Sequence, residues 1–237
     1  TASHDGVGLR PLEGLVPAAE VNALLEAMRQ RGGYISTKSN SDGTESPYEL
    51  NISYFDAFRD SDGDNRWHIP MFMVSQIIAL SFKGIPAVYI HGLTATPNDT
   101  LGVERTGMTR SVNRRKWDMA ELERRICDSE SEAGAVFAQY RDLLALRRLQ
   151  PAFHPDAAQH ILDIHDSVLC FERIAPDAGQ RILIVANLSS RTVDLDRGRL
   201  PADLMQRKDL LQINRPEIGT EVLPLEPYAV FWFSRHY

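Results

Sequence analysis

The hydrophobic pattern of this 237-residue chain changes near Pro151. Before that proline, apolar residues recur at helical spacing between polar loops. Beyond it, short apolar runs alternate with turn residues, as they do in strands. The two repeats belong to different secondary structures, because side chains follow a period of 3.6 residues in a helix and of two in a strand. The pattern therefore predicts two domains, residues 1–150 and residues 151–237.

In the first of these domains the spacing of apolar residues predicts helices separated by loops. Val21, Leu24 and Met28 place a helix at residues 18–31. Residues 34–51 are polar and rich in turn residues, and we interpret them as a long surface loop. Further helices are expected where the same period returns, at residues 67–82, 118–128 and 131–148.

A near-continuous apolar run follows Gly84. Residues 85–90 have the composition of a parallel strand that is buried on both faces. A polar loop is expected after it, at residues 91–116. Helix, short turn and buried strand together are typical of an α/β repeat.

The second domain is expected to contain strands only. Tyr228 and Trp232 alternate within its last apolar run, so we expect core positions for both. Such short strands between turn residues are typical of a small antiparallel β-sandwich. The strands are predicted at residues 160–165, 168–173, 181–188, 192–195 and 228–234.

Composition narrows the range of partners. The chain has 26 Lys and Arg against 32 Asp and Glu, a formal net charge of −6, which argues against nucleic acid. No apolar run is long enough for a membrane span, and the first residues do not form a signal peptide. Cys127 and Cys170 lie in unlike contexts. Two free thiols in the cytoplasm are therefore expected, and a single disulfide is the alternative.

Motifs for bound groups are missing from the sequence. The seven histidines lack the spacing of metal ligands. There is no phosphate loop, dinucleotide fingerprint or G-x-S-x-G sequence. We therefore expect neither a metal nor a cofactor.

Two groups of polar residues are candidates for binding chemistry. The imidazole of His4 and the carboxylate of Asp5 are adjacent, and such a pair can bind hydroxyls or stabilise a cation; a solvated turn is the alternative. Four arginines follow the predicted buried strand, where loops of a barrel bind substrate. Phosphate or sugar hydroxyls would suit them, and surface salt bridges are the alternative. These arginines are Arg105, Arg110, Arg114 and Arg115.

Three stretches carry a resemblance to a known family. They are Ser3-His4-Asp5-Gly6-Val7-Gly8 with Gly14-Leu15-Val16-Pro17, then Gly84-Ile85-Pro86-Ala87-Val88-Tyr89, then Asn98-Asp99 with Arg105-Thr106-Gly107 and Arg110-Ser111-Val112-Asn113-Arg114. Their order and spacing resemble the α-amylase superfamily (glycoside hydrolase family thirteen), in its sucrose phosphorylase and glucosylglycerate phosphorylase subgroup. The resemblance implies the C-terminal part of a (β/α)8 TIM barrel at residues 1–150 and a small antiparallel β-sandwich at residues 151–237.

The resemblance also implies roles for six residues. Asp5 matches the family's third catalytic carboxylate, which stabilises the transition state. The sequence of residues 110–114 resembles the glucosylglycerate type. Sucrose-active relatives tend to carry an amide at position 49, so the glutamate there argues against sucrose as the substrate. The implied substrate-binding residues are His4 and Arg110 at the glucosyl unit, Tyr48 and Glu49 on the acceptor side, and Asn113.

The implied activity is that of a retaining α-glucoside phosphorylase, whose partners are an α-glucoside and inorganic phosphate. A hydrolase or transglycosylase on the same scaffold and a non-catalytic carbohydrate-binding module are the alternatives. Retaining enzymes need a nucleophile and an acid/base. In this family both lie on barrel strands before the segment that matches Thr1. The chain is therefore expected to be a fragment that does not catalyse alone.

Overall fold

A computed structural model describes residues 2–60, 63, 65–212 and 221–236. The chain divides into two compact units, residues 1–69 with 88–139 and residues 70–87 with 140–237. The described helices are α1 (Ala18–Gln30), α2 (His68–Ser81), α3 (Ile90–Leu93), α4 (Thr100–Thr106), α5 (Met119–Cys127) and α6 (Glu132–Arg148). None of them has the length and apolar content needed to cross a membrane.

Ten strands lie in the same described ranges. They are β1 (Val7–Gly8), β2 (Tyr34–Ser39), β3 (Glu45–Asn51), β4 (Ala158–His165), β5 (Val168–Ile174), β6 (Gln180–Asn187), β7 (Val193–Asp196), β8 (Lys208–Asp209), β9 (Val222–Leu225) and β10 (Val230–His236). The four long helices predicted from apolar spacing are confirmed to within a residue at each end.

In the first unit, α1 packs on a small antiparallel sheet with the strand order β1-β3-β2. Leu25 and Met28 on the inner face of α1 are buried against Leu50 and Ile52. Burial of side chains of this size stabilises the unit by roughly 1.5–3 kcal/mol each. The packing fixes the sheet, and with it the residues at the ends of β1 and β3.

The expectation of a surface loop at residues 34–51 is wrong. β2 and β3 form a hairpin, and its turn is closed by a hydrogen bond from the Asn40 amide to the Thr44 carbonyl (2.8 Å). Gly43 has a φ of 81°, which an Asp-Gly turn of this kind requires. Only one end of the hairpin is buried, so its composition is nearly as polar as that of a loop.

The expectation of a buried strand at residues 85–90 is also wrong for the structure as it stands. No strand is assigned there among the described residues, and Ile85 is 85% exposed. A strand needs at least one neighbouring strand for its backbone hydrogen bonds. The described part of the chain provides none for this segment. The polar loop expected after it contains the short helices α3 and α4.

The second unit is mainly antiparallel sheet. Its larger sheet has the order β4-β5-β6-β10-β8, and β7 pairs with β9 in a smaller one. Both sheets contribute to one apolar core, with Val185 and Phe231 from the larger sheet and Leu195 and Leu223 from the smaller.

The predicted strands are confirmed to within two residues at each end, and Trp232 is fully buried as expected. The expectation of a core position in a strand for Tyr228 is wrong, because this residue lies in the turn before β10 with a φ of 56° and is half-buried. β8 has only two residues, and Pro224 interrupts the strand pattern of β9, so neither strand was predicted.

Candidate functional site

Asp5 lies in a tight turn held against β3. Ser3 and Gly6 exchange two backbone hydrogen bonds of 3.1 Å each. Gly6 has a φ of 113°, and a Cβ at this position would collide with the carbonyl oxygen of Leu50. Glycine therefore allows the turn to approach the strand closely. The approach places the Asp5 side chain beside residues that follow it by more than forty positions.

Two arginines flank the Asp5 carboxylate. Arg114 Nη2 lies 2.9 Å from Asp5 Oδ1, and Arg110 Nη1 lies 3.9 Å from the same oxygen. His4 Nε2 approaches the other oxygen at 3.4 Å. Asp5 is about half exposed, so its carboxylate remains open to a ligand, and Arg114 makes its closest charged contact.

Arg110 is anchored by a buried carboxylate on the hairpin. Its Nη2 and Nε both donate to Glu49 Oε2, at 2.8 and 3.1 Å. Asn51 Nδ2 donates to the same oxygen at 3.2 Å, and Asn51 Oδ1 accepts from Ser36 and Thr109. The hydrogen bond to Glu49 raises the pKa of Arg110 above its ordinary value, so the guanidinium stays charged.

An open groove with a volume of about 660 Å³ runs beside this cluster. Tyr48 is 39% exposed, so its ring is available to a ligand in the groove. Hydroxyls, cations and one aromatic ring suit a polar ligand with an anionic part. The groove is lined by Ser36, Thr37, Lys38, Tyr48, Gly107, Met108, Thr109, Arg110 and Arg114.

Asn113 holds the turn that carries His4 and Asp5. It is 2% exposed, and its Nδ2 donates to the carbonyls of Ser3 (3.2 Å) and His4 (3.3 Å). The Tyr89 hydroxyl donates to the Asn113 carbonyl at 3.0 Å. Burial raises the pKa of Tyr89, with Asp5 acting in the same direction and Arg114 against it, so the phenol keeps the proton it donates.

The six residues singled out by the resemblance therefore come together. Each touches another member of the set or lines the same groove, although they are spread over more than a hundred positions. Of the four candidate arginines, only Arg110 and Arg114 reach Asp5. Arg105 pairs with Asp99 (3.8 Å), and Arg115 pairs with Glu121 (3.0 Å), as expected for surface salt bridges.

Asn51 and Lys38 are additions that sequence reasoning missed, and it gave Arg114 no individual role. Asn51 and Lys38 lie on the hairpin, whose strands were not predicted. In the described part of the chain, no three His, Cys, Asp or Glu side chains are grouped as a metal site would require. Cys127 is exposed, Cys170 is buried, and both are free thiols.

Known proteins resemble this chain in sequence and in fold. It is 36% identical to the glucosylglycerate phosphorylase of Escherichia coli over 234 residues, 98% of the chain and 40% of the relative. The sucrose 6F-phosphate phosphorylase from Thermoanaerobacter thermosaccharolyticum matches at a TM-score of 0.64 and 23% identity, over 81% of this chain and 37% of that one. An α-amylase from Geobacillus thermoleovorans matches at a TM-score of 0.51 and 16% identity, over 78% and 36%.

These likenesses identify the fold as a mixed α/β fold that matches a C-terminal part of an amylase-type fold. The chain spans about two fifths of the length of the curated relative from Escherichia coli. No family model matches it.

Proposed function

Because the chain belongs, over the part that it spans, to the glucosylglycerate and sucrose phosphorylase group of amylase-type enzymes, we propose that the whole protein is a retaining α-glucoside phosphorylase. It transfers a glucosyl unit to inorganic phosphate and releases glucose 1-phosphate. In this proposal residues 1–150 complete a (β/α)8 barrel and residues 151–237 form the β-sandwich domain that follows. The site described above binds the sugar.

The observation that carries the proposal is the Asp5 carboxylate, which is flanked by two guanidinium groups that both line an open polar groove. As the glycosidic bond breaks, the sugar ring gains positive charge. A fixed carboxylate stabilises that charge more strongly than it stabilises the neutral substrate. This difference lowers the barrier.

The proposed reaction is a double displacement. A carboxylate nucleophile attacks the anomeric carbon while an acid/base residue protonates the leaving oxygen, and a glucosyl ester forms. A phosphate oxygen then attacks the anomeric carbon, and the ester bond breaks. The nucleophile and the acid/base residue come from parts of the protein beyond these 237 residues. Asp5 acts on both steps, since both pass through a positively charged ring.

The cations at the groove support an anionic acceptor. Lys38, Arg110 and Arg114 line it beside the exposed Tyr48 ring. Each cation pairs most closely with one carboxylate and has further N–H donors for an anion in the groove. These carboxylates belong, respectively, to Glu13, Glu49 and Asp5. Phosphate is an anion, and so is the glycerate portion of glucosylglycerate. We therefore propose glucosylglycerate as the glucosyl donor, in keeping with the name of the Escherichia coli relative. Because the reaction consumes inorganic phosphate, the cytoplasm is the proposed location.

The test is a phosphorolysis assay on the whole protein. Glucosylglycerate and sucrose are supplied separately, with and without inorganic phosphate, and glucose 1-phosphate and free glucose are both measured. We expect glucose 1-phosphate to appear only with phosphate, and faster from glucosylglycerate.

Three other results would contradict the proposal. Free glucose released at an equal rate without phosphate would favour a hydrolase. Transfer of glucose between sugars would favour a transglycosylase. Sugar binding without turnover, measured by calorimetry, would favour a binding module.

A further inference from the structure

The guanidinium of Arg114 bridges the backbone and the side chain of two consecutive residues. Its Nε donates to the His4 carbonyl at 2.6 Å, and its Nη2 contacts Asp5 Oδ1 at 2.9 Å. The donors of a guanidinium lie in one plane at fixed angles. The first contact therefore determines where the second can be made, and so where the carboxylate points.

The anchor of Arg114 is itself well held. Asn113, its neighbour in the chain, is buried and donates to the carbonyls of Ser3 and His4. The Tyr89 hydroxyl binds the Asn113 carbonyl in turn. The backbone that carries Arg114 is thus fixed to the same turn that carries Asp5, and little movement is left between the two side chains.

Arg110 does not hold Asp5 in this way. Both of its close contacts are to Glu49, and its Nη1 approaches Asp5 only to 3.9 Å. The orientation of the Asp5 carboxylate therefore depends on Arg114, while Arg110 is oriented by the hairpin.

The pair is too exposed to be mainly a stabilising ion pair. The side chains of Arg114 and Asp5 are 36% and 48% exposed, and pairs in such positions contribute little to stability. We propose that Arg114 is a positioning residue, which acts on catalysis by holding the Asp5 carboxylate at the angle the glucosyl ring needs. The inference rests on the proposed function, since it takes Asp5 to be a group that meets the sugar.

The first experiment compares two Arg→Lys variants of the whole protein. Arg114→Lys keeps the positive charge but cannot bridge the His4 carbonyl and Asp5 with a planar group. Misplacement of a reacting group by about 1 Å costs up to roughly 100-fold in rate, so kcat should fall about 10- to 100-fold. KM and the melting temperature should stay near their wild-type values. Arg29→Lys, on an exposed arginine of α1 that does not line the groove, is the control and should leave kcat unchanged.

The second experiment asks whether Arg114 acts through Asp5. Arg114→Lys is introduced into an Asp5→Asn background, and single-turnover rates are measured. If the arginine works only by orienting that carboxylate, the further loss in the double variant should be under about twofold, because residues that act as a unit are non-additive. A structural role would lower the rate by the same factor in both backgrounds.

Each result decides the proposal. An unchanged kcat in Arg114→Lys, or an equal loss in both backgrounds, would overturn it. If the wild-type protein releases glucose without phosphate, phosphorolysis fails as the function, but the same comparison is made on hydrolysis. If it turns over no glucoside, crystal structures decide: Asp5 in one unchanged rotamer in wild type and Arg114→Lys overturns the proposal, and a displaced or split carboxylate supports it.

Discussion

At the scale of single residues, the central side chain of the proposed mechanism is Asp5. Asp5→Ala should lower kcat by at least about 10³-fold, because it removes the carboxylate that stabilises the charged ring. The fold should remain, since Asp5 is half exposed and lies in a turn held by backbone hydrogen bonds. Steady-state kinetics and a melting curve of the whole protein measure both effects.

Asp194→Ala serves as the matched control for Asp5→Ala. Asp194 is an exposed aspartate on β7 in the other unit, and its removal should change neither kcat nor the melting temperature. A kcat within about tenfold of wild type for Asp5→Ala, a loss of only ~1.4 kcal/mol, would show that Asp5 is not at the reacting centre.

Glu49 offers a second test at this scale. Glu49→Gln keeps an oxygen that can accept from Arg110 but removes the negative charge. The positive charge of Arg110 is then no longer neutralised by its partner, and it acts more strongly on a ligand in the groove. We expect the ratio of kcat/KM values for two different acceptors to change by about tenfold. Glu45→Gln, at an exposed position of the same strand, is the control. Identical acceptor profiles for Glu49→Gln and wild type would remove Glu49 from the acceptor side.

Single residues were predictable only where neighbours in the chain define them. His4 and Asp5 stand together in a recognisable stretch, so sequence alone points to them. The contact between Glu49 and Arg110 joins residues 61 positions apart, and it exists because the hairpin brings β3 beside the residues after α4. The role of Arg114 likewise depends on where its guanidinium lies relative to the His4 carbonyl.

At the scale of elements, hydrophobic period predicted helices better than it predicted β2 and β3. α1 buries a continuous apolar stripe, and that stripe is visible in the spacing of Leu25 and Met28. In β3 burial is confined to one end, from Glu49 to Asn51, and two of these buried residues are polar. Buried polar residues in hydrogen-bonded networks leave no apolar alternation, so the hairpin of a polar site resembles a loop in sequence.

Hydrogen bonds to one carboxylate connect the start of α6 with the start of α2 and with Arg59, which precedes it. Glu132, in the first turn of α6, accepts from Arg59 Nη2 at 2.9 Å and lies 3.1 Å from Nδ1 of the buried His68. Burial raises the pKa of Glu132, but the hydrogen bonds from Arg59 and His68 outweigh it. The net pKa therefore lies below the ordinary value of 4.5.

This pKa shift predicts a dependence of stability on pH. A carboxylate whose pKa is lowered by folding stabilises the native state above its unfolded pKa, and the gain is lost as the pH falls below about 4.5. Unfolding by urea at pH 7 and pH 3.5 should show a smaller acid loss in Glu132→Gln than in wild type. At pH 7 the variant should lose under about 1 kcal/mol, because Glu132 is 42% exposed.

Glu130→Gln is the control for this measurement. Glu130 is an exposed glutamate two positions before Glu132, and the described structure gives it no ion pair. Its removal should leave the pH dependence as in wild type. If the unfolding free energy falls equally on acidification in wild type and Glu132→Gln, the contacts of Glu132 with Arg59 and His68 add no net stability over hydration of the carboxylate.

At the scale of the whole molecule, one mismatch between sequence and structure lies at residues 85–90. Their apolar run indicates burial, yet Ile85 is 85% exposed. The chain spans 40% of the length of the Escherichia coli relative. Both facts are explained if the strand neighbours of this segment lie in the rest of a barrel. The apolar pattern of residues 85–90 would then reflect contacts that these residues make in the complete protein. Those contacts are not among the ones made within this chain.

If residues 85–90 form a barrel strand in the whole protein, Ile85 is buried there, although in this chain it is more exposed than Ile161. Ile161 on β4 is 60% exposed, less than Ile85, so the contacts described here make Ile85 the more tolerant position. In the whole protein Ile85→Lys should instead be the damaging change, because it buries a charge between barrel strands, at a cost of several kcal/mol. Ile161→Lys should stay within about 0.5 kcal/mol of wild type, as surface substitutions usually do. Urea unfolding and soluble yield of the two variants measure the difference, and a harmless Ile85→Lys would show that the segment is not a barrel strand.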